Sequence, residues 1–172
     1  MQFTLLDTDT VITLTGATLY RIRYADGTPG GYLQSTVNLD PTSNARVLGD
    51  AQVSGNARVL GDAQVYGDAQ VYGNAQVSGN AQVYGNAQVY GDARVSEPQH
   101  CLTIGPLGSR AAILTVCRDS TLGISYATGC FFGSREDFLK AVEATHGNSS
   151  FGNAYAAAVM LADHIVPPYT QE

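Results

Sequence analysis

Tryptophan is absent from the 172 residues, methionine occurs twice and cysteine three times. The cysteines, Cys101, Cys117 and Cys130, are odd in number and lie in mostly apolar surroundings. Such cysteines read as buried free thiols in a reducing cytoplasm. Basic residues are also scarce: nine Lys and Arg stand against 15 Asp and Glu, for a net charge of -6. With no basic run, a surface that tracks phosphates is excluded and no nucleic-acid partner is expected. No stretch approaches the ~20 apolar residues of a membrane span. The start, Met1-Gln2-Phe3-Thr4, lacks the basic region and apolar run of a leader, so the expected location is cytoplasmic, without membrane contact. There is no C-x-x-C pair and no two-His spacing, so neither a metal site nor a cofactor is expected.

What the chain has instead is a period. From Asn44 to Val95 the unit [Asn/Asp]-Ala-[Gln/Arg]-Val-x-Gly recurs nine times, the ninth ending at Val95-Ser96 without its glycine. Ala and Val stand two apart, so on an extended strand they face the same way, with the Gln or Arg between them facing the other. The Gly-Asn or Gly-Asp pair that follows takes positive φ at low cost and lets the chain corner. A short strand, a corner and a strict period of six specify a parallel β-helix, with three hexads to a coil. The unit resembles the hexapeptide repeat of left-handed β-helix proteins. The left hand is implied by that resemblance alone, since the usual crossover rule favours the opposite hand. Nine hexads make about three coils, each with three Val and three Ala inside. Burying a Val contributes about 1.5–3 kcal/mol before chain entropy, which is meagre for a lone prism with open ends. Caps from the flanking sequence are therefore expected.

The same wrap sorts the outer surface. One side stacks Leu48, Tyr66 and Tyr84, the next Ser54, Tyr72 and Tyr90, and the third Leu60, Ser78 and Ser96. The tyrosines are candidates for an oligomer interface, because they offer rigid contact area with a polar tip. They also read as a stack that shields the prism. The Asn/Asp corners and Gln64/Gln82 and Gln70/Gln88 are expected to form ladders.

Residues 1–43 read as an N-terminal β cap, with short strands at Phe3–Leu6, Val11–Leu14 and Ala17–Tyr24 and a turn at Asp26–Gly31. Leu33, Leu39 and Ala45 are six apart, which suggests a wrap that begins before the clean repeat. Residues 97–172 read as a small α+β domain. Strands are expected near Leu102–Ile104, Ala112–Val116, Leu122–Tyr126 and Cys130–Phe132. A capping box at Ser134–Asp137 opens one helix, which stops at Gly147. A second runs from about Asn153 to Ile165 and ends at Pro167-Pro168. The fold class is thus mainly β: a left-handed β-helix over 44–96 between these two flanks.

The segments Leu19-Tyr20-Arg21-Ile22-Arg23, Gly30-Gly31-Tyr32-Leu33-Gln34-Ser35 and Asn38-Leu39 are similar to the lead-in of YdcK-like hexapeptide proteins, common in bacteriophages and prophages. Gln34 stands where that pattern carries an acid. Thr103–Arg110, Gly129–Ser134 and Thr145-His146-Gly147 resemble the tail of the same family. The resemblance implies the fold and a phage or prophage setting and carries no settled activity.

Three functional readings follow. In the first, the chain is a non-enzymatic oligomeric binding or inhibitory protein. The turn Gly105–Arg110, with Ser109 and Arg110, could hold an anion, and Thr145 and His146 could complete the pocket. The partner would be an anionic small molecule such as a nucleotide-type signal, or a host defence protein. The same residues also read as a hairpin turn and an ordinary helix stop. In the second, the chain is a hexapeptide-repeat acyltransferase, which needs a His base in a cleft between subunits. The coils hold no His, and His100, His146 and His164 all lie beyond them. In the third, it is a structural scaffold or protein-interaction module. A homo-oligomer is expected, and the resemblance to hexapeptide enzymes implies a trimer. Cys130 has no marked partner for catalysis.

Overall fold

A computed structural model describes residues 2–170. The chain divides into two compact units, Met1–Pro98 and Gln99–Glu172.

The first unit is a β-solenoid and its cap. Strands β1 (Phe3–Ile12), β2 (Thr18–Tyr24) and β3 (Pro29–Leu33) precede nine very short strands. These are β4 (Arg46–Val47), β5 (Gln52–Val53), β6 (Arg58–Val59), β7 (Gln64–Val65), β8 (Gln70–Val71), β9 (Gln76–Val77), β10 (Gln82–Val83), β11 (Gln88–Val89) and β12 (Arg94–Val95). Every third strand pairs in parallel, giving three faces: β4-β7-β10, β5-β8-β11 and β6-β9-β12. Val53 sits against Val71, its counterpart one coil on. Each hexad Ala and Val is at most 2% exposed. The alternation works as the spacing predicts, because Gln52 N–H donates to Ala69 O (2.9 Å) and Ser54 N–H to Val71 O (3.0 Å) while the Val between them points inward. At the corners the glycine takes positive φ, +74° at Gly67, and a Cβ there would meet the next coil's Gly85 N at 3.0 Å. Position six therefore admits glycine for both backbone and space. Ladders form along two of the expected corner columns: Asn44 Nδ2 donates to Asp62 Oδ1 (2.9 Å), and Asn56, Asn74 and Asp92 link at 3.1 Å per step.

The wrap does begin early. Strand β3 lies parallel to β5, placing Leu33 against Val53, and Leu39 bridges Val59. Leu33 and Leu39 thus occupy the Val position, and Val47, not Ala45, continues their series. The leading coil, from Leu33 to Val53, is longer than the next, from Val53 to Val71. The excess is absorbed in the turn Asp40–Ser43, where Thr42 N–H and Oγ1 both donate to Asp40 Oδ1 (2.9 and 2.7 Å). The solenoid has about four turns.

Each face of the prism's first coil is closed by a different device. On the second face, β3 supplies backbone: Tyr32 N–H donates to Ala51 O (2.8 Å) and Gln34 N–H to Val53 O (3.0 Å). A Cβ on Gly31 would stand 2.5 Å from Ala51 O, so only glycine lets the chain this close. On the third face, the buried Asn38 side chain donates to Gly55 O (3.0 Å) and Ala57 O (2.9 Å) and accepts from Ser35 N–H (2.9 Å). On the first face, Val47 N–H donates to the Tyr24 hydroxyl (2.8 Å), which donates on to Val47 O (3.1 Å). Arg21 ties the cap to a corner, reaching Asp9 (2.8 Å), Gly30 O (3.1 Å), Gly49 O (3.0 Å) and Asp50 (3.0 Å), with its guanidinium also over Tyr32. The two short strands expected before residue 14 are one, β1, with a register break between Leu6 and Thr10. The hairpin continues into the second face, so β1-β2-β3-β5-β8-β11 is one sheet.

The second unit is α+β. Strands β13 (Cys101–Leu107), β14 (Ala112–Asp119), β15 (Gly123–Thr128) and β16 (Phe131–Gly133) form an antiparallel meander. Helices α1 (Arg135–His146) and α2 (Ser150–Ile165) pack on it. The core joins Leu114, Val116 and Tyr126 to Phe138, Val142, Tyr155, Val159 and Ala162. Ser134 Oγ accepts from Asp137 N–H (3.2 Å) and donates to the Asp137 carboxylate (2.6 Å). The carboxylate therefore returns to the cap hydroxyl rather than to the cap N–H. Helix α2 starts at Ser150, ahead of the expected Asn153, because Ser149 Oγ caps Gly152 N–H (3.3 Å).

The expectation of three buried free thiols is overturned. Cys101 and Cys117 stand directly opposite in the β13–β14 register and are joined as a disulfide, and Cys130 is exposed. The cysteines therefore carry no argument for a reducing compartment. No helix among the described residues is long and apolar enough to cross a membrane.

Candidate functional site

The predicted anion residues fall on two separate elements of the second unit. Ser109 and Arg110 occupy the turn between β13 and β14, both exposed. Thr145 and His146 end α1, Thr145 exposed and His146 half-buried. Tyr155, from the middle of α2, connects the two places. A Cβ on Gly108 would meet its hydroxyl at 2.5 Å, so the turn's backbone rests on the phenol. The Tyr155 ring also stacks on His146, with centroids 5.6 Å apart. Phe151 closes the imidazole's edge at 6.0 Å. The sequence shows Tyr155 only as a helix-face core position. Its role in joining turn to helix end depends on a contact between residues far apart in the chain, which spacing does not reveal. A cleft of about 570 Å³ between α1 and α2 is lined by Lys140, Glu143, Gly147, Asn148 and Asn153 among others, and by none of the four predicted residues.

Each histidine is held in a structural contact. His100 is buried, with Arg118 Nη1 3.0 Å from its Nε2. A ring nitrogen that accepts from a guanidinium has its lone pair engaged. His146 is stacked as above. His164 Nδ1 donates to Met160 O (2.7 Å), one turn back along α2. A second polar cluster joins the helices: Arg135 grips both Asp163 oxygens (2.7–3.0 Å), and the Tyr126 hydroxyl reaches Oδ1 (3.4 Å). The Arg135 hydrogen bond holds the Asp163 carboxyl below its ordinary range, and burial first, then the Asp163 charge, pushes the Tyr126 phenol up to about 12. Among the described residues, no three His, Cys, Asp or Glu side chains cluster in a way that could hold a metal ion.

On the first unit the tyrosines form the two predicted columns. Tyr66 and Tyr84 stack with centroids 5.5 Å apart and planes at 16°, on the first face. Tyr72 and Tyr90 stack at 4.5 Å and 10°, on the second. Burial pushes the Tyr72 phenol upward, and its hydrogen bond with Tyr90 partly offsets this. Within each pair the rings use their facing sides on each other, so edges and hydroxyls are what point outward. The three faces differ in charge beside these columns. The first carries Arg46 and the third Arg58 and Arg94, whereas the second carries Gln52, Gln70 and Gln88.

Fold and faces together define a β-solenoid protein with an α+β unit at its C-terminal end. Four stretches, residues 51–67, 63–79, 69–85 and 87–99, match the model of the YdcK beta solenoid repeat, so the repeat region is similar to that family's solenoid. Comparison with curated proteins finds no match. The residues ahead of the matched stretches close the first coil, and among them Gln34 accepts from Gly55 N–H through Oε1 (2.7 Å).

Proposed function

We propose that this chain is a non-enzymatic oligomeric binding protein: a rigid prism that self-associates through a tyrosine-bearing face and offers its C-terminal unit to a partner. The observation that carries this reading is the pair of stacked columns, Tyr66–Tyr84 and Tyr72–Tyr90, on faces with little else that is large and apolar. Stacked rings are already immobile, so covering them costs little side-chain entropy. The left-handed winding, the phage or prophage setting and a host protein as partner belong to the proposal through the resemblance of the repeat and its lead-in. Sedimentation velocity over a wide concentration range tests it. The expected result is a species heavier than the 18.1 kDa chain. A monomer at every concentration would retire the reading.

A second reading, capture of an anionic nucleotide-type molecule at the edge of the C-terminal unit, is favoured by one contact. Tyr155 touches both Gly108, next to Ser109 in the turn, and His146, and an anion held by the Arg110 guanidinium and the turn N–H groups would lie on that side of the unit. Thermal-shift measurements with cyclic nucleotides and ADP-ribose derivatives test it. Stabilisation that Arg110→Gln removes would support it, and no shift with any of them would end it.

A further inference from the structure

Arg118, near the end of β14 and paired across to Ile124 of β15, is half-buried. Its Nη1 stands 3.0 Å from His100 Nε2 and 3.4 Å from Nδ1, so its hydrogen-bond partner is a ring that accepts without carrying negative charge. The guanidinium carbon lies over the Tyr169 ring, 5.1 Å from its centroid. Nε is buried and has no acceptor. Among the described residues, Arg21, Arg46 and Arg135 each form an ion pair with a carboxylate, and Arg118 forms none. Asp119 follows it in the chain, but strand alternation turns that side chain to the opposite face of the sheet. Asp119 Oδ1 accepts from Thr121 N–H (2.8 Å) and Leu122 N–H (3.0 Å), and Oδ2 is itself buried without a partner. A buried donor on a charged group that meets no acceptor costs more than a neutral one. A negatively charged acceptor relieves that cost most. The segment over Arg118 is lightly fastened. Val166, after α2, is buried in the core, and beyond it Pro167, Pro168 and Thr170 are exposed. Tyr169 is half-buried, and its N–H donates to Gly123 O (3.0 Å). The two prolines have no N–H to add.

We propose that Arg118 is a binding site for a small organic carboxylate, reached when the tail that carries Tyr169 lifts from it. The site is separate from the Ser109-Arg110 turn, since Arg110 precedes β14 and Arg118 stands near its other end, and it does not depend on the oligomer reading. Chemistry selects the ligand class. Nε–H and Nη2–H form a planar fork that matches the two oxygens of a carboxylate. With His100 accepting from Arg118, the site offers one positive charge on a chain of net charge -6. That balances a monoanion, whereas the second charge of a phosphate would go unpaired. Burial of Nε restricts the ligand to a small molecule. The rings of Tyr169 and His100 beside the guanidinium suit a flat acid such as benzoate.

The test follows the arginine Nε–H signals of the full, nitrogen-15-labelled chain by nuclear magnetic resonance during titration with benzoate, inorganic phosphate or chloride. Arg118→Lys keeps the charge and removes the Nε–H, so the signal it loses is that of Arg118. Benzoate is expected to shift this signal saturably, and phosphate and chloride to leave it in place. Arg118→Lys, with an unchanged circular dichroism spectrum, is expected to weaken benzoate binding about 10-fold or more, the scale of losing a charge-assisted hydrogen bond. Tyr169→Ala is expected to tighten it about 5-fold or more, because the ligand no longer has to displace the ring. An Arg118 signal that no anion moves, as when solvent already satisfies Nε–H, would overturn the site even if the variants failed to fold. A response confined to the Arg110 signal would place the anion on the turn and overturn it equally. Phosphate moving the signal as readily as benzoate would overturn the carboxylate class, and Tyr169→Ala binding no tighter would overturn the role of the tail.

Discussion

At Val47 the first hexad strand meets a phenol where a neighbouring strand would otherwise supply a peptide. The Tyr24 hydroxyl accepts from Val47 N–H and donates to Val47 O, so one atom satisfies both backbone groups at a buried edge. Tyr24→Phe keeps the ring and removes that atom. The expected loss is about 1–3 kcal/mol, the cost of leaving buried polar groups unpaired, seen as a lower melting temperature of the first unit. Asn38→Ala is expected to lose a similar amount, because Gly55 O, Ala57 O and Ser35 N–H all lose a partner. Either variant melting like the wild type would show that solvent takes over the cap's role. Neither role was legible in the sequence. Most of the partners are backbone groups a coil away, and a backbone group carries no signal of its own in the letters. Arg21 was legible only as part of a resemblance, and its contacts to Asp9, Gly30, Gly49 and Asp50 were not legible at all.

At the scale of elements, local rules and long-range contacts divide the chain. The hexad strands were legible because position within the period determines inward or outward, and all nine Val and Ala obey it. The leading coil was half-legible: the spacing of Leu33 and Leu39 showed a wrap, but the extra length in Asp40–Ser43 hid which later residue continues it. Composition misreads the cysteines because pairing across β13 and β14 depends on register, which composition cannot supply. In the C-terminal unit, the start of α1 and the last turns of α2 are joined by Arg135 and Asp163. Asp163 titrates below its ordinary value in the fold, chiefly through the Arg135 hydrogen bond. A carboxylate with a depressed folded pKa contributes stability above its unfolded pKa of about 3.9 and loses it as pH falls through the folded value. The pair is partly exposed, so its worth is about 1 kcal/mol or less after solvent screening. Asp163→Asn is therefore expected to lower the melting temperature slightly at neutral pH, with the gap to wild type closing below about pH 4. A gap that persists undiminished into strong acid would assign the effect to packing instead.

For the whole molecule, the first unit behaves as a one-dimensional stack in which each coil rests on its neighbours. What the repeat specifies is therefore a spacing rather than a particular length, and function enters through what the faces display. The second face displays tyrosine, amides and a recess under the hairpin tip walled by Ile12 and Leu14, and its outward strand positions, unlike those of the other two, carry no arginine. Those outward positions were visible in the sequence as columns. The recess was not, because it forms only where the hairpin folds back over the prism. The most direct check on the solenoid itself compares two deletions by thermal unfolding. Removing residues 62–79 takes out one full coil, the same step along the chain by which Val53 meets Val71. Removing residues 62–70 takes out half as much and leaves a broken hexad. The larger deletion is expected to keep a cooperative melt near that of the wild type, and the smaller to lose it. A smaller deletion that is the better tolerated of the two would contradict the coil.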